Sequence, residues 1–342
     1  MTEDRRGLRP GLRWRFVIAA LVVFLVAMLG LALTSGAAGV ARADVWQSLL
    51  HHAGIASDAP PADGVVWGIR VPRALLAGLV GAFLGISGVA LQGLYRNPLA
   101  DPHLLAIGPG AAIGAAIGSL GAGTRGAVAG GAAMGVISAL LSRRVARKQA
   151  DDAGRLVLVG VALGAVLTAW AGFIVTGSDR TRVPPMEFWL LGNLGSATWV
   201  SVQALAVIGG AAIVVLVGAS RTLDLLALGE TEATHLGVDV DLSGAIISIA
   251  IGMMTGAAVG AGGVIGFVGL LVPTVIRPVA PSTHRSRIGA AGLLGAAFLI
   301  GADTFARTIF VPIEIPVGLV TTAIGGPVFL WLLGRLRSVR WT

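Results

Sequence analysis

The side chains able to do chemistry are few and widely spaced. Asp303 and Arg307 lie four residues apart in an apolar stretch, so both fall on one helix face and a local ion pair is their simplest reading. The five histidines (His51, His52, His103, His235 and His284) form no H-E-x-x-H or comparable ligand spacing, and the chain has no cysteine. No metal site is therefore expected. Lys148 is the only lysine and follows Arg147 rather than glycine, so no G-x-x-x-x-G-K-[ST] loop exists to cradle a nucleotide phosphate. No G-x-S-x-G elbow or paired carboxylates stand out as hydrolytic machinery. Any use of ATP must fall to a separate subunit, and neither a catalytic residue nor a bound cofactor is expected on this chain.

Four stretches concentrate the remaining polar and conformationally special residues. Arg70-Val71-Pro72-Arg73 puts two arginines at the outer end of a span, where positive-inside bias disfavours them. That points to an acidic partner, or else to interfacial snorkelling. Gln92 to Pro102 holds two prolines, Asn97 and an Arg96/Asp101 pair, which reads as a rigid capped turn at the inner mouth or a plain connector. Leu225 to Val238 sets Glu230 and Glu232 at a helix start, with Leu236 four residues after Glu232. A short amphipathic helix there docks on a partner or lies on lipid headgroups. Gly262 to Arg277 interrupts a helical run with glycines and Pro273. At membrane depth such a break is tolerated where it lines a cavity or is buried in protein.

The elements that position these stretches follow from composition. Of 342 residues, 55% are hydrophobic and 51 are glycine, about 70% together against roughly 45–50% in soluble domains. Charged residues make up only 12%, too few to cover a soluble surface. A soluble enzyme is excluded, and an all-α polytopic membrane protein remains. The net charge of +8 then marks cytoplasmic loops and anionic headgroups rather than nucleic acid.

Met1 to Arg15 carries five arginines and precedes 18 uncharged residues, Phe16 to Leu33. That run exceeds the roughly 7–15 residues of a signal-peptide core, despite Ala41-Arg42-Ala43 downstream, so it reads as the first transmembrane helix. Further apolar segments fall at about 70–95, 103–122, 126–142, 155–176, 199–219, 243–263, 264–278, 288–308 and 315–334, giving about ten helices in all. Ten spans put both termini on one side and divide the basic residues into 18 inside and 7 outside. The expected layout is one transmembrane domain over 1–342, with cytoplasmic tails at 1–15 and 335–342 and a cytoplasmic segment at 220–242. Gly81, Gly85 and Gly88 recur as Gly256, Gly260 and Gly263, and Pro98 as Pro273, at a constant offset. The second and seventh spans run in opposite directions, so this is a weak inverted repeat of the transporter kind.

In order and spacing, the motifs resemble the iron-chelate and cobalamin permease family (FecCD type) of type II ABC importers, from about Trp46 to Leu333. They are R-x-P-R at Arg70–Arg73, Q-x3-R-N-P-L-A-x-P at Gln92–Pro102, A-L-G-E with L-G-V at Ala227–Val238, and G-F-V-G-L-x-V-P-x3-R at Gly266–Arg277. A-D-x3-R at Ala302–Arg307 and I-P-V-G-L-V-T-x-x-I-G-G-P-x-F at Ile315–Phe329 complete the set.

The resemblance implies an inner-membrane permease that pairs with a second copy of itself. Two ATPase subunits, which hold ATP and magnesium, bind below, and a periplasmic or lipoprotein substrate-binding protein docks above. By the same likeness Arg70, Arg73 and Arg307 receive acidic residues of the binding protein, and Asn97 and Leu99 form the inner gate. Residues 225–238, with Leu228, Gly229, Glu230, Glu232, Leu236 and Gly237, take up the ATPase motion. The cargo implied is a ferric siderophore or haem, with cobalamin as the alternative. A secondary carrier is disfavoured by the scarcity of mid-membrane carboxylates, and an intramembrane enzyme by the lack of a nucleophile or metal constellation. Thr274 and Thr283 depart from the family's P-H-I-x-R and D-H-R patterns near the inner face.

Overall fold

The computed structural model describes residues 10–36, 38–147, 153–178, 184 and 186–338. Most of the basic N-terminal tail, Lys148, Arg180, Arg182 and the last four residues lie outside the described residues. The chain begins with α1 (Pro10–Thr34), α2 (Arg42–His52), α3 (Asp63–Val65) and a π-helical turn at Val66–Arg70 that leads into α4 (Val71–Leu94). There follow α5 (Ile107–Arg147), α6 (Ala153–Gly177), α7 (Met186–Leu191), α8 (Trp199–Gly218), α9 (Ser220–Leu226) and α10 (Glu230–His235). The chain ends with α11 (Val240–Gly262), α12 (Val268–Ile276), α13 (His284–Thr308) and α14 (Val317–Ser338). No strand occurs among the described residues.

Among the described residues, seven helical stretches are long and apolar enough to cross a bilayer. One of them, α5, turns back on itself at Ala122 and Gly123 (φ +54°), where its backbone leaves helical geometry. A Cβ on Gly118 would lie 2.0 Å from the Gly126 carbonyl oxygen, and one on Gly114 2.1 Å from that of Gly130, so the halves of α5 form a glycine-lined antiparallel hairpin. This supplies the third and fourth spans expected from the sequence.

The segment expected as an apolar span at 264–278 is helical only from Val268. Gly263 (φ +73°) and Phe267 (φ +67°) hold the preceding residues out of the helix. Nine helical residues rise about 14 Å, under half of a hydrocarbon core of roughly 30 Å. The non-helical residues before it extend the segment, and their backbone groups find partners in protein. Val264 N–H donates to the Trp189 carbonyl at 3.0 Å, and Asn193 N–H donates to the Gly262 carbonyl at 2.8 Å. The short helix α7 and the turn after it therefore exist to satisfy the broken segment.

The glycine pattern also explains the packing. On α4, a Cβ at Gly81 would meet the Gly295 carbonyl oxygen of α13 at 2.1 Å, and one at Gly88 would meet the Gly269 carbonyl oxygen of α12 at 1.9 Å. On α11, Gly256 and Gly260 make the same backbone-close approach to Gly131 and Ala127 in the second half of α5. The second span thus packs on the ninth, and the seventh on the fourth. Advancing each member of the first pair by five spans, and wrapping around, yields the second pair, so the inverted repeat seen in the glycine spacing is also a repeat of helix contacts.

Candidate functional site

At one end of the bundle, where α1 ends, α4 begins and α13 ends, the three arginines of the sequence reading come together. Arg73 Nε donates to Asp303 Oδ2 at 2.9 Å and Arg73 Nη2 to Asp303 Oδ1 at 3.0 Å, a two-pronged ion pair in which both side chains are buried. Arg73 Nη1 donates to Glu314 Oε2 at 2.8 Å, and the Glu314 side chain is 44% exposed. Arg70 donates to the Leu33 carbonyl at 2.7 Å and the Ala38 carbonyl at 2.6 Å. Arg307 donates to the Ala32 carbonyl, and its Nε stands 3.7 Å from Asp303 Oδ2. Arg70, Arg73 and Arg307 are only 3%, 7% and 6% exposed in the single chain.

The expected i,i+4 pair of Asp303 and Arg307 is therefore the longer of the two contacts that Asp303 makes. Its main partner comes from 230 residues away, a separation no local spacing could show. Glu314 was missed for the same reason. It follows α13 on a loop and meets Arg73 only because α4 and α13 pack through glycine.

At the inner end of α4 the turn expected as a gate is closely held. Arg96 takes φ +49°, and Asn97 Oδ1 accepts from the Leu99 N–H at 2.9 Å, with Asn97 and Leu99 3% and 8% exposed. Asp101 Oδ1 accepts from the His103 N–H at 2.8 Å, an Asx turn that starts the approach to α5. Both ends of this stretch meet α12. Arg277 Nη2 donates to Gln92 Oε1 at 3.3 Å, and a Cβ on Gly269 would lie 2.7 Å from Pro102 and 2.9 Å from Asp101 Oδ2. Two motifs separated by about half of the chain are thus one packed unit.

Residues 225–238 form the end of α9, a turn and α10. Gly229 adopts φ +129°, a conformation that leads into the acidic first turn with Glu230 and Glu232, and Gly237 at φ +84° ends the motif. Ala233 is buried, whereas Leu228 and Leu236 are 63% and 59% exposed on either side of the acids. Asp224 on α9 reaches the start of α13, where its Oδ1 accepts from the His284 N–H at 2.7 Å and contacts His284 Nδ1 at 2.6 Å. Asp224 supplies the cap that Thr283 does not. The two departures from family pattern are locally satisfied: Thr274 Oγ1 donates to the Leu270 carbonyl at 2.7 Å and Thr283 Oγ1 to Ser286 Oγ at 3.1 Å. Among the described residues no cluster of three or more His, Asp or Glu is placed to hold a metal.

An all-helical membrane bundle with repeated glycine-to-backbone helix contacts, a broken helix against the turn after α4 and an exposed short helix pair has the architecture of a transport permease of the type II ABC importer fold. Residues 21–335 match the FecCD transport family, and the chain belongs to that family. It is 38% identical to the hemin transport system permease protein HmuU of Yersinia pestis, covering 80% of this chain and 85% of that one. Identity to the vitamin B12 import system permease protein BtuC of Escherichia coli O157:H7 is 36%, over 97% and 98% of the two chains. Among solved structures, one described as an inward-facing metal-chelate type ABC transporter superposes with a TM-score of 0.75 at 27% identity, over 94% of this chain and 99% of that one.

Proposed function

We propose that this chain is the membrane-spanning subunit of an ATP-driven importer of iron chelates, a ferric siderophore or haem, and that two copies enclose the pathway. The observation that carries the reading is the linkage of the three motif regions. The α9–α10 segment is tied by Asp224 to α13, α13 carries Asp303 and Arg307 at its far end, and α12 packs on Asp101 and Pro102, just after Asn97 and Leu99. Motion delivered to residues 225–238 by a separate ATPase thus has a rigid route to both faces. Leu228, Gly229, Glu230, Glu232, Leu236 and Gly237 form the ATPase contact, with two apolar anchors flanking two acids. Asn97 and Leu99 close the inner end of the pathway between transport events, and both termini lie in the cytoplasm.

Docking of a substrate-binding protein falls at the outer face around Arg70, Arg73 and Arg307. Since these arginines already have internal partners, a carboxylate from above engages Arg73 by displacing the half-exposed Glu314, while Asp303 stays in place. Haem or siderophore is favoured over cobalamin by the likeness to the hemin permease, and cobalamin is the second reading because the B12 permeases cover more of the chain.

The test is uptake into proteoliposomes holding this chain, its ATPase and its binding protein, offered haem, a ferric siderophore or cobalamin in parallel. ATP-dependent accumulation of an iron chelate is expected. Uptake that persists without the ATPase subunit refutes the ATP-driven reading, and accumulation of cobalamin alone refutes the choice of cargo.

A further inference from the structure

The inner ends of α4, α12 and α13 enclose a cavity of about 210 Å3 whose lining is strongly basic. Arg96, Arg277 and Arg287 all face it, and no carboxylate lines it. Asp224, which lies just beyond, is occupied by His284. None of the three guanidiniums has an ion-pair partner among the described residues. Two buried donors in the same lining also lack a hydrogen-bond partner: Nε2 of Gln92, a residue 4% exposed, and Nε of Arg287. Buried donors are rarely left unpaired, and three like charges around one cavity repel each other. The arrangement has the charge and donors of an anion receptor.

We infer that this cavity receives a carboxylate side chain of the ATPase subunit, held between Arg277 and Arg287 next to the gate turn. The inference rests on the reading of residues 225–238 as the ATPase contact. Two features choose that occupant. The cavity is positive and a protein carboxylate complements it. Its wall also includes Ala227, the residue that opens the A-L-G-E motif, so the receptor continues the proposed contact surface rather than facing another part of the chain. Pro98 lines the same cavity, beside Asn97 and Leu99. A guest carboxylate would therefore move with the ATPase and touch the gate turn directly, a second coupling route that does not pass through α10.

The experiment measures ATPase binding to the full-length chain in nanodiscs of neutral phosphatidylcholine, across a range of salt concentrations. Arg277→Gln combined with Arg287→Gln is expected to weaken binding about ten-fold at low salt and to flatten its salt dependence, whereas the Arg277→Lys, Arg287→Lys pair retains most of both. Melting temperatures establish that each variant is folded. If the glutamine pair does not fold, Arg96→Gln, at an exposed position, is read for the same change in salt slope. Unchanged affinity and slope in a folded variant overturn the inference and leave the reading of residues 225–238 standing. A loss seen only in nanodiscs containing anionic phosphatidylglycerol assigns the cavity to a lipid phosphodiester and also overturns it. Failure of the wild-type chain to bind the ATPase in any lipid overturns the reading of residues 225–238 and the inference with it.

Discussion

Replacing Asp303 by asparagine tests whether the outer arginines are held by an internal acid. The Asp303 carboxylate accepts from Arg73 at 2.9, 3.0 and 3.2 Å, and its side chain is 4% exposed. Removing one member of a buried ion pair costs about 3–5 kcal/mol, because the other charge is left without compensation. Glu314 remains on Arg73 Nη1 at 2.8 Å, but at 44% exposure that contact offsets only about 0–1 kcal/mol. Asparagine keeps one acceptor oxygen, which favours the lower end, so the expected loss is about 3 kcal/mol, roughly a 150-fold shift of the folding equilibrium. The assay is unfolding in mixed micelles of increasing dodecyl sulfate fraction, followed by the fluorescence of the chain's eight tryptophans. Arg73→Met combined with Asp303→Leu should recover at least half of the loss, since a matched apolar pair leaves short of a partner only Arg307 and the Glu314 side chain, which at 44% exposure is solvated. An Asp303→Asn variant within about 1 kcal/mol of wild type, or single-variant losses that simply add, would refute the buried-pair argument.

Gly88→Val places a Cβ 1.9 Å from the Gly269 carbonyl oxygen, so α4 and α12 must separate; a loss of about 1–3 kcal/mol in the same unfolding assay is expected, and wild-type stability would sink the close-packing account. Asn97→Ala removes the acceptor that holds the Leu99 N–H at 2.9 Å in a buried turn. It should raise the leak of preloaded cargo from ATP-free proteoliposomes several-fold, and an unaltered leak would remove Asn97 from the gate.

Much of this architecture was legible before any coordinates. Apolar run lengths locate the spans because a bilayer demands about 20 apolar residues per helix, and the glycine spacing announces close helix contacts. The limits lie where geometry depends on distant partners. The 264–278 run carries no charge before Arg277, so hydropathy could not reveal that its first residues are non-helical. The signal was conformational: Gly262, Gly263 and Gly266 cluster there, and the backbone partners lie near Trp189 and Asn193, outside the motif. For Arg70 and Arg73, positive-inside bias points to an external acid or to snorkelling, and local spacing pairs Asp303 only with its neighbour Arg307. Nothing in sequence spacing places Asp303 opposite Arg73, or Asp224 at the start of α13.

Those two unforeseen contacts lie at opposite ends of the same helix. α13 is capped at its inner end by Asp224 of α9 and clamped at its outer end through Asp303 to Arg73 of α4, with Gly295 against Gly81 between them. A helix of 25 residues spans about 37 Å, so one element joins the α9–α10 segment to the basic cluster at the other end of the bundle. Backbone-to-backbone packing through glycine leaves little compressible side-chain volume along that contact, and a displacement at Asp224 is transmitted along α13 rather than absorbed. The exchangeable part of the outer cluster is Glu314, which sits on the loop just after α13 and is the only member with substantial exposure. Under the function proposed above, an acid arriving from outside and a push arriving from inside would act on the two ends of one strut, and this arrangement, rather than free arginines, would couple binding-protein docking to ATPase motion.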